Sequence, residues 1–250
     1  MARRSMKAGA IALGILGVAL IAGPASPALA DDTKLNLTGS AVITTDYIFR
    51  GISNTNQEPA AQVEFDATYG MWYAYVWGSN TAFADVELDY GVGITPKWKN
   101  ITFNIAGLYY TFPGATFENY FELKTGATWA SGPWSLSVNN YWSPDNFQLY
   151  GESDAIEGTV GYTFAKKWWN FFTPGVSGGV GFQSFEQNAH DYTYWNAGLT
   201  LGFLDHWSAD VRYQDTNYSK GECSQYFGVP GQTQRSDCDA RVVGTIKATF

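Results

Sequence analysis

Counted back by twos from Phe250, the chain places Ala248, Ile246, Gly244, Val242 and Ala240 on one set. The intervening set is Thr249, Lys247, Thr245, Val243, Arg241 and Asp239. One set is apolar and the other mostly polar, a period of two, which is that of a β-strand between unlike environments. The same split recurs upstream. Val86, Leu88, Tyr90, Val92 and Ile94 alternate with Asp85, Glu87, Asp89, Gly91 and Gly93. Ile101, Phe103, Ile105 and Tyr109 alternate with Thr102, Asn104 and Ala106, and Trp207, Ala209, Val211 and Tyr213 with Ser208, Asp210, Arg212 and Gln214. About twelve such segments follow one another between turn signals, beginning near Leu35, Gln62, Met71, Asp85, Ile101, Phe117, Trp134, Asp154, Pro174, Tyr192, Trp207 and Asp239. No segment has the period of an amphipathic helix.

The N-terminus carries a different signal. Arg3, Arg4 and Lys7 precede the apolar run AGAIALGILGVALIAG, and a small-x-small site at Ala28-Leu29-Ala30 stands just before Asp31. This is the pattern of a signal peptide cleaved after Ala30. The apolar run is short for a membrane-spanning helix and ends in Pro24 and Pro27. The expected organisation is a leader over 1–30 and one domain over 31–250. Loss of the leader leaves twelve basic against twenty-three acidic residues, a formal charge of about −11, which argues against nucleic acid as a partner. Aromatic residues make up 17% of the chain and charged residues 15%, which excludes disorder.

Alternation alone does not say which face points inward, because a soluble lipocalin-type barrel alternates too. The polar set here is rich in Gly, Ser, Thr and Asn with sparse charges, as a narrow wet lumen requires. The apolar set carries Trp72, Trp98, Trp129, Trp134, Trp168, Trp169 and Trp207 near strand ends, the positions of an interfacial girdle. Connectors at Gly70, KWKN, SGP, KKWWNFF and LDH are mostly short, whereas ISNTNQEPA, SPDNFQLYGES and the loop between Cys223 and Cys238 are longer and polar. Short periplasmic turns and longer outer loops are the signature of an antiparallel outer-membrane β-barrel. Two cysteines flanking a short polar loop in an exported chain favour a disulfide, Cys223 to Cys238, over a metal site.

The stretch TTDYIFRGISNTNQEPAAQVEFDATYG resembles the N-terminal motif of the TorF family of proteobacterial outer-membrane porins, a strand of type S/T-D/N-Y-x-F-R-G followed by a polar loop and Pro-Ala. The matching residues are Thr45, Asp46, Tyr47, Phe49, Arg50, Gly51, Ile52, Ser53 and Pro59, and the terminal TIKATF fits as well. Phe250 after an alternating strand resembles the C-terminal signal read by the barrel-assembly machinery. The resemblance implies a small barrel in the bacterial outer membrane, among lipid and lipopolysaccharide, with a pore role.

Placing the polar face in the lumen gives a set of pore-lining charges: Asp46, Arg50, Glu64, Asp66, Asp85, Glu87, Asp89, Glu122, Lys124, Glu157, Asp210, Arg212, Arg241 and Lys247. Acids outnumber bases among them, so a mild cation preference is expected. Asp85, Glu87 and Asp89 are read as one strand face, and the first strand as running to Arg50 with Tyr47 and Phe49 outward. Asp46 and Arg50 would then stand about 13 Å apart, with Glu64 or Asp66 as the expected partner of Arg50. No catalytic residue, metal site or cofactor is indicated. His190 beside Asp191 is the single pair suited to a hydrolase at the rim, and GVSGGVGF lacks the Lys-Ser/Thr of a phosphate loop. The resulting reading is a porin-like channel for passive diffusion of small hydrophilic solutes or ions. The alternatives are a plugged structural or adhesive barrel and, remotely, a hydrolase.

Overall fold

The computed structural model describes residues 34–115, 119–227 and 236–250. The leader with its cleavage site lies outside the described residues, as does Phe117. Twelve long strands make up the fold: β1 Asn36–Thr44, β2 Ala60–Tyr69, β3 Trp72–Ser79, β4 Glu87–Ile94, β5 Ile101–Thr111, β6 Tyr120–Ser131, β7 Trp134–Ser143, β8 Ser153–Thr163, β9 Thr173–Phe185, β10 Tyr192–Phe203, β11 Trp207–Thr216 and β12 Arg241–Thr249. Each pairs antiparallel with its sequence neighbour, and β1 also pairs with β12 through Ala41↔Ala248 and Ile43↔Ile246. The sheet is therefore a closed barrel. Gly39 and Phe250 exchange backbone hydrogen bonds of 2.8 and 2.9 Å beyond the last ladder pair, so the terminal residue completes the seam.

The two faces have inverted polarity relative to a soluble protein. The apolar set is outside: Leu37, Val92 and Val242 are 69%, 60% and 65% exposed, and similar exposed residues circle every strand. A contiguous apolar belt of this extent belongs against lipid. The polar set is inside, where Gln62, Glu122, Lys124 and Arg212 are nearly inaccessible. All seven tryptophans named for the girdle are exposed, and all lie at the end bearing the connectors 70–71, 95–100, 132–133, 164–172 and 204–206. The two longest connectors, 45–59 and 217–240, lie at the opposite end.

Lumen-facing glycines make room for rings from the next strand. A Cβ on Gly91 would fall 2.1 Å from the Tyr75 ring, and one on Gly181 2.1 Å from that of Tyr194. Each tyrosine lies flat over the neighbouring strand because no side chain stands there.

Among the described residues there is also one short helix, α1 Lys220–Phe227, where no helical period was expected. It starts by a capping box: Ser219 N donates to Glu222 at 2.8 Å and Glu222 N to Ser219 Oγ at 3.3 Å. These contacts hold the Glu222 carboxyl below its usual range. The Cys223–Cys238 disulfide ties α1 to the start of β12.

Candidate functional site

The chain leaves the barrel wall after Thr44 and turns into the lumen. Ile48–Phe49 and Ile52–Ser53 pair as a small hairpin whose two turn residues, Arg50 and Gly51, have φ of 47° and 82°. Left-handed geometry at both positions is that of a type I′ turn. This corrects the expectation that the first strand continues to Arg50: Tyr47 is buried rather than outward, at 2% exposure, and Phe49 packs inside against the rings of the long-loop half. The polar pair accounts for the turn: Asp46 is satisfied by Ser53 and Thr55 of the same segment and by Arg241 on the adjoining β12, while Arg50 finds its partner across the interior.

Two anchors hold the hairpin. Asp46 accepts from Ser53 Oγ at 2.6 Å, Thr55 Oγ1 at 2.9 Å and Arg241 Nη1 at 2.9 Å. Arg50 donates from both terminal nitrogens to the two oxygens of Glu122, each at 2.8 Å, and from Nη1 to Gln183 Oε1 at 2.9 Å. The expected partners Glu64 and Asp66 are not used. They sit on β2, on the far side of the hairpin from its tip, which projects toward β6 and β9. The Arg50 guanidinium lies 4.7 Å from the Phe49 ring centroid and 4.8 Å from that of Tyr141. Gly51 is required at the tip, since a Cβ there would stand 2.6 Å from Thr216 and 2.7 Å from Tyr194.

The hairpin touches both walls. Tyr47 joins a cluster with Trp77, Leu108, Tyr110, Tyr120 and Tyr141, and Ile52 joins one with Tyr192, Tyr194, Tyr218 and the disulfide. Ser53 N donates to Asp237 O at 2.9 Å, so the cysteine-bearing loop sits on the hairpin from outside. The long-loop half of the lumen is thus filled with side chains. Toward the short turns the inner face carries small polar groups instead: Thr102, Thr128, Ser135, Ser137, Thr159, Ser177 and Asn196 are all partly open to solvent.

The remaining charges named from the sequence are distributed as follows. Glu122, Lys124, Asp210 and Arg212 are buried on inner faces, while Glu157, Asp66, Arg241 and Lys247 are partly buried there. Arg212 donates to both oxygens of Asp210 at 3.1 Å, to Asn196 at 2.7 Å and to Ser177 at 2.8 Å. Glu157 accepts from the hydroxyls of Tyr141 and Tyr194, each at 3.1 Å. Glu64 is buried on β2 and lies across from Ser40. Glu87 and Asp89 are buried on β4 with one oxygen each left without a hydrogen-bond partner. Asp85 departs from the expected face: it is exposed in the connector before β4, its backbone N–H bonded to Pro113 O at 3.1 Å. The strand begins two residues later because β4 has no partner on β3 beyond Ser79.

Beside His190, the Asp191 carboxylate accepts from Phe185 N at 3.0 Å. The His190 carbonyl accepts from the Tyr218 hydroxyl. Among the described residues no three His, Cys, Asp or Glu side chains converge as metal ligands. Sequence reasoning missed Tyr110, Tyr141 and Gln183, the groups that complete the Arg50 site, because uncharged residues on an alternating strand carry no mark of their partner.

The fold is similar to that of solved porins. The KdgM porin shares 7% identity and a TM-score of 0.57, with 85% of this chain and 99% of that chain covered. The same porin in complex with disordered oligogalacturonate gives 8% and 0.53, covering 86% and 99%. The NanC porin gives 12% and 0.50, also covering 86% and 99%. Such identities establish the architecture alone. A comparison with curated proteins finds no match. The model of the bacterial protein family of unknown function designated Gcw_chp matches residues 28–250, and the chain belongs to that family.

Proposed function

We propose that the protein is a porin-type channel of the bacterial outer membrane, exported by a leader cleaved after Ala30, and closed at its outer half by the segment Thr45–Pro59. Small hydrophilic solutes or ions would pass by diffusion, with a mild preference for cations. The observation that carries this reading is the inversion of polarity around a closed barrel, with apolar side chains outside and a half-open polar interior. The fold of the KdgM and NanC porins supports it. Phe250 would serve the assembly machinery, and the apolar belt would meet lipid and lipopolysaccharide.

Planar-bilayer recording of the refolded protein tests the reading. Wild type should give small or rare steps, and a variant with Ile48–Ser53 replaced by a short glycine linker should give frequent, larger ones. The reversal potential should favour cations and lose that bias when Glu87 and Asp89 are neutralised. Absence of steps from both proteins, with the barrel folded, favours the second reading, a plugged barrel that displays its outer loops. The filled outer half and the disulfide-tied loop support that alternative.

A further inference from the structure

The Arg50 anchor has the construction of a ligand site. Four wall residues make it: Glu122 on β6, Gln183 on β9, Tyr141 on β7, and Tyr110 on β5, whose hydroxyl donates to Glu122 Oε2 at 3.0 Å. Only the guanidinium and the Phe49 ring come from the hairpin, so the receiving half stays assembled on rigid strands if the hairpin leaves. Two parallel N–H donors matched to one carboxylate, with an aromatic face beside them, is a geometry that fits a planar guanidinium better than a compact ammonium.

The occupant is held against opposing costs. Arg50 has a φ of 47°, the left-handed region that a residue with a Cβ adopts only under strain. Departure of the hairpin would leave Glu122 beside Glu87 and Asp89, which are buried in the same lumen. Lys124, 5.0 Å from the Tyr141 ring centroid, offsets part of that charge, and Glu157 faces it. The vacated interior remains net acidic and attracts cations.

We propose that the Glu122–Gln183–Tyr141 site binds the guanidinium group of a small cationic solute, and that Arg50 is its tethered occupant, so that such a solute competes with the plug. The transport consequence rests on the channel reading; the binding does not. Tethering gives Arg50 a high effective concentration, so the wild-type protein should bind a free guanidinium weakly.

The probe is agmatine, titrated calorimetrically into the refolded mature protein in detergent. Arg50→Ala should bind it at least tenfold more tightly than wild type, and adding Glu122→Gln should weaken that binding at least tenfold. Putrescine, which keeps both positive charges but lacks the fork, should bind Arg50→Ala several-fold less well than agmatine. Arg50→Asn, which retains a residue tolerant of positive φ, replaces Arg50→Ala if the latter does not fold, as judged by heat-modifiable migration on a gel. In bilayers, agmatine should block the current of the Arg50 variant in a Glu122-dependent manner. Binding no tighter than wild type, or indifferent to Glu122→Gln, overturns the proposal. Glu122-dependent binding without conductance from any variant upholds the site and removes the channel. Conductance without Glu122-dependent binding or block removes the site and leaves the channel.

Discussion

Asp46 and Arg50 are four residues apart, yet they bind opposite sides of the barrel, Asp46 to Arg241 on β12 and Arg50 to Glu122 on β6. Each is buried, so removing one partner strands the other charge away from water, a loss of about 3 kcal/mol or more. Asp46→Asn should therefore lower the urea midpoint of the barrel in detergent. Arg241→Gln should lower it by a similar amount, and the double variant by less than the sum, because one interaction is counted twice. Additive losses would show that the pair is not coupled. The lumen glycines make a second case. Gly91→Ala forces the Tyr75 ring off β4 and should cost about 1–3 kcal/mol by overpacking. In a Tyr75→Ala background the same change should cost little, and an equal cost in both backgrounds would place the clash elsewhere.

The twelve strands were legible because alternation is a local property, and each observed strand begins within a few residues of its expected start. The hairpin Ile48–Ser53 was not. Its alternation continues that of β1 without a break, and the usual turn signal, Asn-Gly or Asp-Gly, is replaced by Arg-Gly. What decides between wall and plug is whether Arg50 finds a partner across the lumen and Asp46 one on the adjoining β12, and those partners lie 72 and 195 residues away in sequence. The capping box of α1, Ser219 with Glu222, was present in the sequence but lies outside any apolar period. The outer loop it opens bears on the hairpin through Asp237 and Ile52. Reducing the Cys223–Cys238 disulfide should release a loop constraint of about 3 kcal/mol. The expected readout is more frequent opening in bilayers after reductant, with no change for a protein already lacking the hairpin. Equal effects in both would separate the loop from the plug.

At the scale of the whole barrel the asymmetry along the axis is the main structural fact. The long-loop half is filled by rings and by the hairpin, while the short-turn half is lined by small hydroxyl and amide side chains open to solvent. Water should then reach the interior from one side only. The native cysteines are joined, so single cysteines introduced on inner faces report access cleanly. Ser137→Cys and Ser177→Cys, at partly exposed positions, should react with a membrane-impermeant maleimide supplied to the short-turn side of proteoliposomes. Ser143→Cys and Gln62→Cys, nearly fully buried in the long-loop half, should stay unmodified from either side in the wild-type background. Replacing Ile48–Ser53 by a glycine linker should make both react, because only packing against the hairpin and its ring clusters excludes water there. Labelling of Ser143→Cys in the intact protein would mean that the plug does not seal the lumen, and the low conductance expected of wild type would lose its physical cause.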